Sequence, residues 1–142
     1  MIDHPHLKTI ERYYQGCNSA DEALMRSTFT EDVVHYYTHH DPVRGAASLA
    51  HYWLSMQPRV DGHWSVDHGI VQGDEAVIEW TMRWTPTPGA DPEMIRGAEW
   101  YRFEGGLIAE IRAYYLNPRV PYPQSDFELL GFDYAGRGYA QR

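Results

Sequence analysis

The sequence predicts an α+β domain: three helices packed on a curved antiparallel or mixed β-sheet, followed by a C-terminal extension. Apolar residues recur every three to four positions as far as Met56, and after Gly62 the period changes to two. The strand-like segments then follow one another across short turn-forming breaks, as in a meander, without the intervening helices of a parallel sheet. At 142 residues the chain has the size of one domain, able to bury about 68% of its unfolded surface without a metal or disulfide.

The first helix is expected over residues 6 to 17, where Leu7, Ile10, Tyr13 or Tyr14, and Cys17 recur at helical spacing. Ser19 and Glu22 have capping-box spacing for a short second helix over Asp21 to Thr28. Val33 to Thr38 is rich in β-branched and aromatic residues and reads as a first strand; "HDPVRG" reads as a loop. A third helix from Ala46 to Met56 carries Leu49, Trp53 and Met56 on one stripe and is expected to stop before Pro58. Four strands follow, at His63–Gln72, Glu75–Thr85, Ile95–Phe103 and Leu107–Leu116, separated by "GD", "TPTPGADP" and "EGG". Residues 1–117 form the domain, and 118–142, Pro-rich and then Gly- and aromatic-rich, form the extension, read as a pocket lid or a dimer contact.

The net charge of −8, with Lys8 the single lysine, gives no basic patch, so a nucleic-acid surface is not expected. No apolar run approaches membrane-spanning length, and "MIDHPHLKTIERYY" reads as neither a signal nor a transit peptide. Cys17 is the one cysteine, so no internal disulfide can form, and a small buried thiol is expected. These features point to a cytoplasmic protein. Five Trp, eleven Tyr and four Phe supply side chains that fill cores and line pockets for flat or cyclic organic ligands.

The segments "IERYYQGCNSAD", "FTEDVVHYY…DPVRGAASLAHYW" and "EWYRFEGGLIAEIRAYY", in this order, resemble the NTF2-like superfamily of cone-shaped α+β domains. That superfamily includes the SnoaL-like polyketide cyclases, ketosteroid isomerases, scytalone dehydratase and limonene epoxide hydrolase. The resemblance covers roughly residues 5 to 117 and is most specific at the last hairpin. It implies the fold; the scaffold hosts many chemistries, and some members have none. By comparison with the ketosteroid isomerases, Tyr13 occupies the place of the helix tyrosine, and Glu99 in "EWYRF" that of the protonated acid sharing its oxyanion hole. Their general-base aspartate falls at Tyr37, whose phenol is a poor base near neutrality, a departure from the residue pattern of classic steroid-type enolisation.

Strand alternation tests these residues independently. Ala76, Ile78, Trp80, Met82 and Trp84 form an apolar set facing inward, and the family register also points Glu99, Tyr101 and Phe103 inward, with Trp100 and Arg102 outside. Ile111, Ala113 and Tyr115 face in and Glu110, Arg112 and Tyr114 face out; Trp64, Val66, His68 and Ile70 share a face, as do Val33, His35 and Tyr37. The expected catalytic residues are therefore His35 or His68 as base, because imidazole titrates near neutrality, with Tyr13 and Glu99 polarising a substrate oxygen. A one-residue slip would instead pair Glu99 with Arg96 or Arg112. The expected substrate-binding residues are Tyr37, Trp53, Trp64, Trp80, Met82, Trp84, Tyr101 and Tyr115.

The histidines of "VVHYYTHHDPVRG" raise the question of a metal. On a strand, at about 3.3 Å per residue, His35 and His39 would stand about 13 Å apart, too far to share a zinc ion. No metal site and no cofactor are expected, and His39, His40 and Asp41 are assigned to a solvated loop at the cavity rim. Two readings follow. One is a cofactor-independent acid–base enzyme acting on a small hydrophobic cyclic or carbonyl compound by isomerisation, cyclisation, dehydration or epoxide opening. The other is a non-catalytic ligand-binding or dimerising protein. Arg83 and Trp100 on the outer face of the sheet fit a homodimer contact.

Overall fold

The computed structural model describes residues 3–122 and 127–141; residues 123–126 and 142 of the expected extension lie outside the described residues. Its order is α1 (Pro5–Ser19), α2 (Glu22–Ser27), β1 (Phe29–Tyr36), β2 (Val43–Arg44), α3 (Ala46–Val60), β3 (His63–Gln72), β4 (Glu75–Trp84), β5 (Glu93–Glu104) and β6 (Leu107–Tyr115). The six strands lie in the order β2-β1-β6-β5-β4-β3. β3 to β6 form an antiparallel meander, whereas β1 runs parallel to β6, so the sheet is mixed. Three helices on one curved sheet give the α+β cone that the sequence predicts.

Several boundaries differ for local reasons. α1 ends at Ala20 in the left-handed region, and Ser19 donates back to the Gln15 carbonyl at 2.7 Å instead of capping α2. Asp21 caps α2, accepting from the Leu24 amide at 3.0 Å. β1 begins at Phe29 and ends at Tyr36, and part of the expected "HDPVRG" loop pairs with it as β2. Pro58 does not stop α3, which runs on to Val60. So close to the C-terminus its missing N–H removes one helical bond from a turn already short of partners.

α1 lays Leu7, Ile10, Tyr13, Tyr14 and Cys17 on the sheet, where they join Met25, Leu49, Ile78, Ile108 and Ile111 in one core. Asn18 ties helix to strand: its amide donates to the Trp64 carbonyl at 2.9 Å, and its carbonyl accepts from the Trp64 amide at 2.8 Å. Across the sheet, Gly97 makes room for rings. A Cβ there would stand 2.7 Å from both the Trp80 ring and the Tyr115 Cβ, so no larger residue lets these two side chains meet above β5.

The expected face of β3 fails in its second half. The register with β4 shifts between Val66 and His68, which makes Asp67 a bulge residue. Trp64 and Val66 face the core as predicted, but beyond the bulge Gly69 and Val71 turn inward, while His68 and Ile70 are exposed. His68 therefore lies outside the cavity.

Residues 127–141 pack on the outer face of β1 and β6. Leu129 and Phe132 are buried with Tyr36, and Leu130 N–H donates to the Tyr37 carbonyl at 2.9 Å. Beneath them, Glu110 accepts from Arg137 at 2.7 and 3.0 Å and from Arg112 at 2.8 Å, with the Arg137 guanidinium 4.6 Å above the Phe132 ring. Glu110 and Arg112 thus occupy the predicted outward face, yet both are buried.

Candidate active site

Between α1, α3 and the inner face of the sheet lies a cavity of about 430 Å³. Among the residues lining it, Glu99 is the one carboxylate and Arg119 the one arginine; the walls are aromatic and aliphatic. Glu99 is 5% exposed and stands on the inner face of β5, opposite Ala113 and Ile78.

Its two oxygens have different surroundings. Oε1 accepts from the Tyr14 hydroxyl at 2.6 Å and from the Tyr101 hydroxyl at 2.5 Å. Oε2 stands 3.6 Å from His35 Nε2, within ion-pair range but beyond a hydrogen bond. The phenols remain donors: burial first, and then the Glu99 charge, push Tyr14 and Tyr101 well above the ordinary tyrosine value. Two fixed donors on one oxygen stabilise negative charge on the carboxylate without a cationic partner. Neither arginine of the slipped-register alternative takes part: Arg96 binds Thr81 and Arg112 binds Glu110.

His35 is 1% exposed at the end of β1. Its Nδ1 lies 3.2 Å from the Tyr36 carbonyl, which can only accept, so Nδ1 carries the proton. In the neutral ring Nε2 is then the basic nitrogen. It has no hydrogen-bond partner among the described residues. The ring is held flat against Tyr37, with centroids 4.0 Å and planes 12° apart, and edge-on to Trp53. An oriented, buried imidazole facing a carboxylate in an open cavity is an arrangement suited to moving a proton to and from a bound molecule.

Of the expected site residues, the structure brings His35, Glu99, Tyr13, Tyr37, Trp53, Trp64, Trp80, Met82, Trp84 and Tyr115 to the cavity. Tyr13 reaches it but does not bond Glu99; it packs edge-on to Phe29 and Tyr14, and Tyr14 makes the bond. Adjacent helix positions differ by about 100°, so both tyrosines can face the sheet and only the strand beneath distinguishes them. Tyr101 is fully buried and outside the lining, with its hydroxyl bonded to the Glu99 carboxylate. His68 is absent from the site on account of the bulge.

The rim also differs from expectation. His39 and His40 are half-buried rather than solvated. The His40 Nδ1 donates to the Asp41 carbonyl at 2.7 Å, so its Nε2 accepts from the Tyr52 hydroxyl at 3.1 Å. His39 lines the cavity with a buried Nδ1 that lacks a partner among the described residues. Burial, helped by His40, pushes it down to about 4. Asn117, Arg119 and Val120 close the lining after β6, and Tyr122 donates to the Tyr115 carbonyl at 3.2 Å. Sequence reasoning missed Tyr14, His39 and Arg119, although the "Tyr13 or Tyr14" spacing already contained the first. Cys17 is buried beside Met25, its thiol pushed up by burial and then by Glu99, which does not suit a nucleophile. No group of three or more His, Cys, Asp or Glu able to hold a metal occurs among the described residues. No helix among them is long and apolar enough to cross a membrane.

A model of the SnoaL-like domain matches residues 10–111. A protein of unknown function with a cystatin-like fold from Methylobium petroleophilum PM1 is 39% identical, over 97% of this chain and 92% of its own, with a TM-score of 0.83. Two more distant structures share the fold. A candidate polyketide cyclase from Pseudomonas putida KT2440 is 19% identical over 76% of this chain and 89% of its own, with a TM-score of 0.66. A Mycobacterium tuberculosis protein in complex with estradiol-17beta-hemisuccinate is 16% identical over 83% of this chain and 98% of its own, with a TM-score of 0.70. A comparison with curated proteins found no match.

Proposed function

Because the chain belongs to the SnoaL-like domain family, we propose that its cavity is the active site of a cytoplasmic, cofactor-independent acid–base enzyme acting on a small hydrophobic cyclic or carbonyl compound. The observation that carries the proposal is the Glu99 carboxylate, bonded by two phenols on Oε1 and facing His35 Nε2 through Oε2. In this reading His35 Nε2 removes a proton from the carbon beside a substrate carbonyl. The electron pair moves onto the carbonyl oxygen, and the imidazolium so formed is stabilised by Glu99. Returning the proton at another position gives an isomerase; delivering it to a hydroxyl on the next carbon, which departs as water, gives a lyase; attack of the enolate carbon on a second carbonyl, whose oxygen then takes the proton, gives a cyclase. The aromatic walls hold the ring system and exclude water, which strengthens the charges at the floor. Relatives with named small-molecule ligands, such as the estradiol hemisuccinate complex, support a ligand of this general kind.

Proton abstraction is common to all three outcomes, so one assay tests them together. A panel of cyclic ketones is incubated with the protein in D2O and deuterium uptake beside the carbonyl is followed by NMR. Wild type is expected to catalyse exchange, and Glu99→Gln and His35→Gln to lose it by roughly 10²-fold or more. Ketones that bind without exchange would favour the ligand-binding protein over the enzyme. We further propose a homodimer formed on the outer sheet face that the extension leaves open, where Trp100 is 40% and Ile70 60% exposed.

A further inference from the structure

The cavity is polar at two ends. Its floor holds Glu99 and His35, and its mouth holds Arg119, Asn117 and His39. Glu93, which pairs with Arg119, precedes Glu99 by six residues on the same strand, about 20 Å of backbone at strand spacing. A molecule touching both ends is therefore elongated, with rings along the aromatic walls.

Arg119 is the one cationic group lining the cavity that carries charge at all pH values. The rest of the molecule opposes an anion, since the chain carries a net charge of −8. Glu93 engages the Nε and Nη2 of Arg119. The Nη1 has no hydrogen bond among the described residues. Both partners are substantially exposed, at 48% and 37% of their side-chain surface, so solvent screens the pair and exchange for another carboxylate carries little penalty. His39, with its unpartnered Nδ1, offers a second polar contact at this end.

Resting on the active-site reading above, we propose that Arg119 is a specificity-determining residue that receives the acidic group of an elongated, ring-bearing ligand, while the far end of that ligand meets Glu99 and His35. The substrate class is thus a cyclic carboxylic acid, or a cyclic compound with a comparable oxyanion at one end. Glu93 holds the guanidinium in place when the cavity is empty and yields it to the ligand.

The test uses 4-(6-hydroxynaphthalen-2-yl)butanoate and its methyl ester, with binding read by quenching of the cavity tryptophans and by calorimetry. Wild type is expected to bind the acid roughly tenfold more tightly than the ester, as a single charge-assisted contact allows. Arg119→Gln is expected to bring the two affinities together by weakening the acid alone, and Glu93→Gln to strengthen the acid. Equal binding of acid and ester by wild type, or an unchanged ratio in Arg119→Gln, overturns this inference and leaves the active-site reading standing. Failure of wild type to bind either compound overturns both.

Discussion

Replacing Tyr14 by Phe removes one hydroxyl and little else. The ring keeps its edge-on contact with Tyr13, whose centroid is 5.6 Å away, so the packing loss is small and the change isolates the 2.6 Å bond to Glu99. A hydrogen bond to a charged group contributes about 1.5–3 kcal/mol. Oε1 keeps its second donor, Tyr101, at 2.5 Å, which places the single substitution at about 1.5 kcal/mol. Tyr101→Phe is expected to cost about the same. The double variant differs in kind. Its carboxylate, 5% exposed, retains only His35 Nε2 at 3.6 Å, and an uncompensated buried charge costs about 3–5 kcal/mol. The double loss should then reach about 3–5 kcal/mol against about 3 kcal/mol for the sum of the singles, an excess of up to about 2 kcal/mol. Urea unfolding of the four proteins at neutral pH measures the cycle, with m-values checked for constancy. A double loss smaller than the sum of the singles, or single costs near zero, would refute the idea that two phenols stand in for a missing cation at Glu99.

Two further predictions concern the outer face. Burial alone would raise the Glu110 carboxyl, but the bonds and charges of Arg137 and Arg112 outweigh it and hold the group below its ordinary value of 4.5. A depressed carboxyl stabilises the fold above its unfolded pKa, and that contribution disappears as pH falls through the folded value. Thermal melts should therefore lose stability below about pH 4.5, and Glu110→Gln should flatten that acid limb while lowering stability at pH 7. For the proposed dimer, Trp100→Glu should shift sedimentation from dimer to monomer without changing the far-UV spectrum; an unchanged sedimentation coefficient would place the contact elsewhere.

Much of the fold is legible because the period of two reports burial directly. On β4 the inward set from Ala76 to Trp84 lies as predicted, and on β5 Glu99, Tyr101 and Phe103 do the same. What alternation does not contain is a change of count. The bulge at Asp67 arises from pairing with β4, a relation between distant segments, and it alone removes His68 from the site. Helical spacing likewise admits both Tyr13 and Tyr14, and the choice belongs to Glu99 on another strand. The burial of Glu110 and Arg112 depends on residues 127–141, whose path over the sheet carries no periodic signal. Loop position alone assigns His39 to solvent; the ring contacts of Tyr115 and Tyr122, both later in the chain, draw it into the rim.

The bulge in β3 also divides one strand between two kinds of work. Ahead of it, Trp64 borders the cavity and Val66 packs against the core; behind it, Gly69 admits Leu7 of α1 so closely that a Cβ would stand 2.7 Å from the leucine side chain. The same strand is thus cavity wall at one end and helix seat at the other, and a single residue marks the change. Deleting Asp67 would join Val66, opposite Trp80, directly to His68, opposite Glu79, so the ladder would become regular while Gly69 stayed beneath Leu7 and His68 outside the cavity. The faces that β3 presents behind Val66 are accordingly set by how one extra residue is absorbed in the ladder, rather than by the size of any side chain.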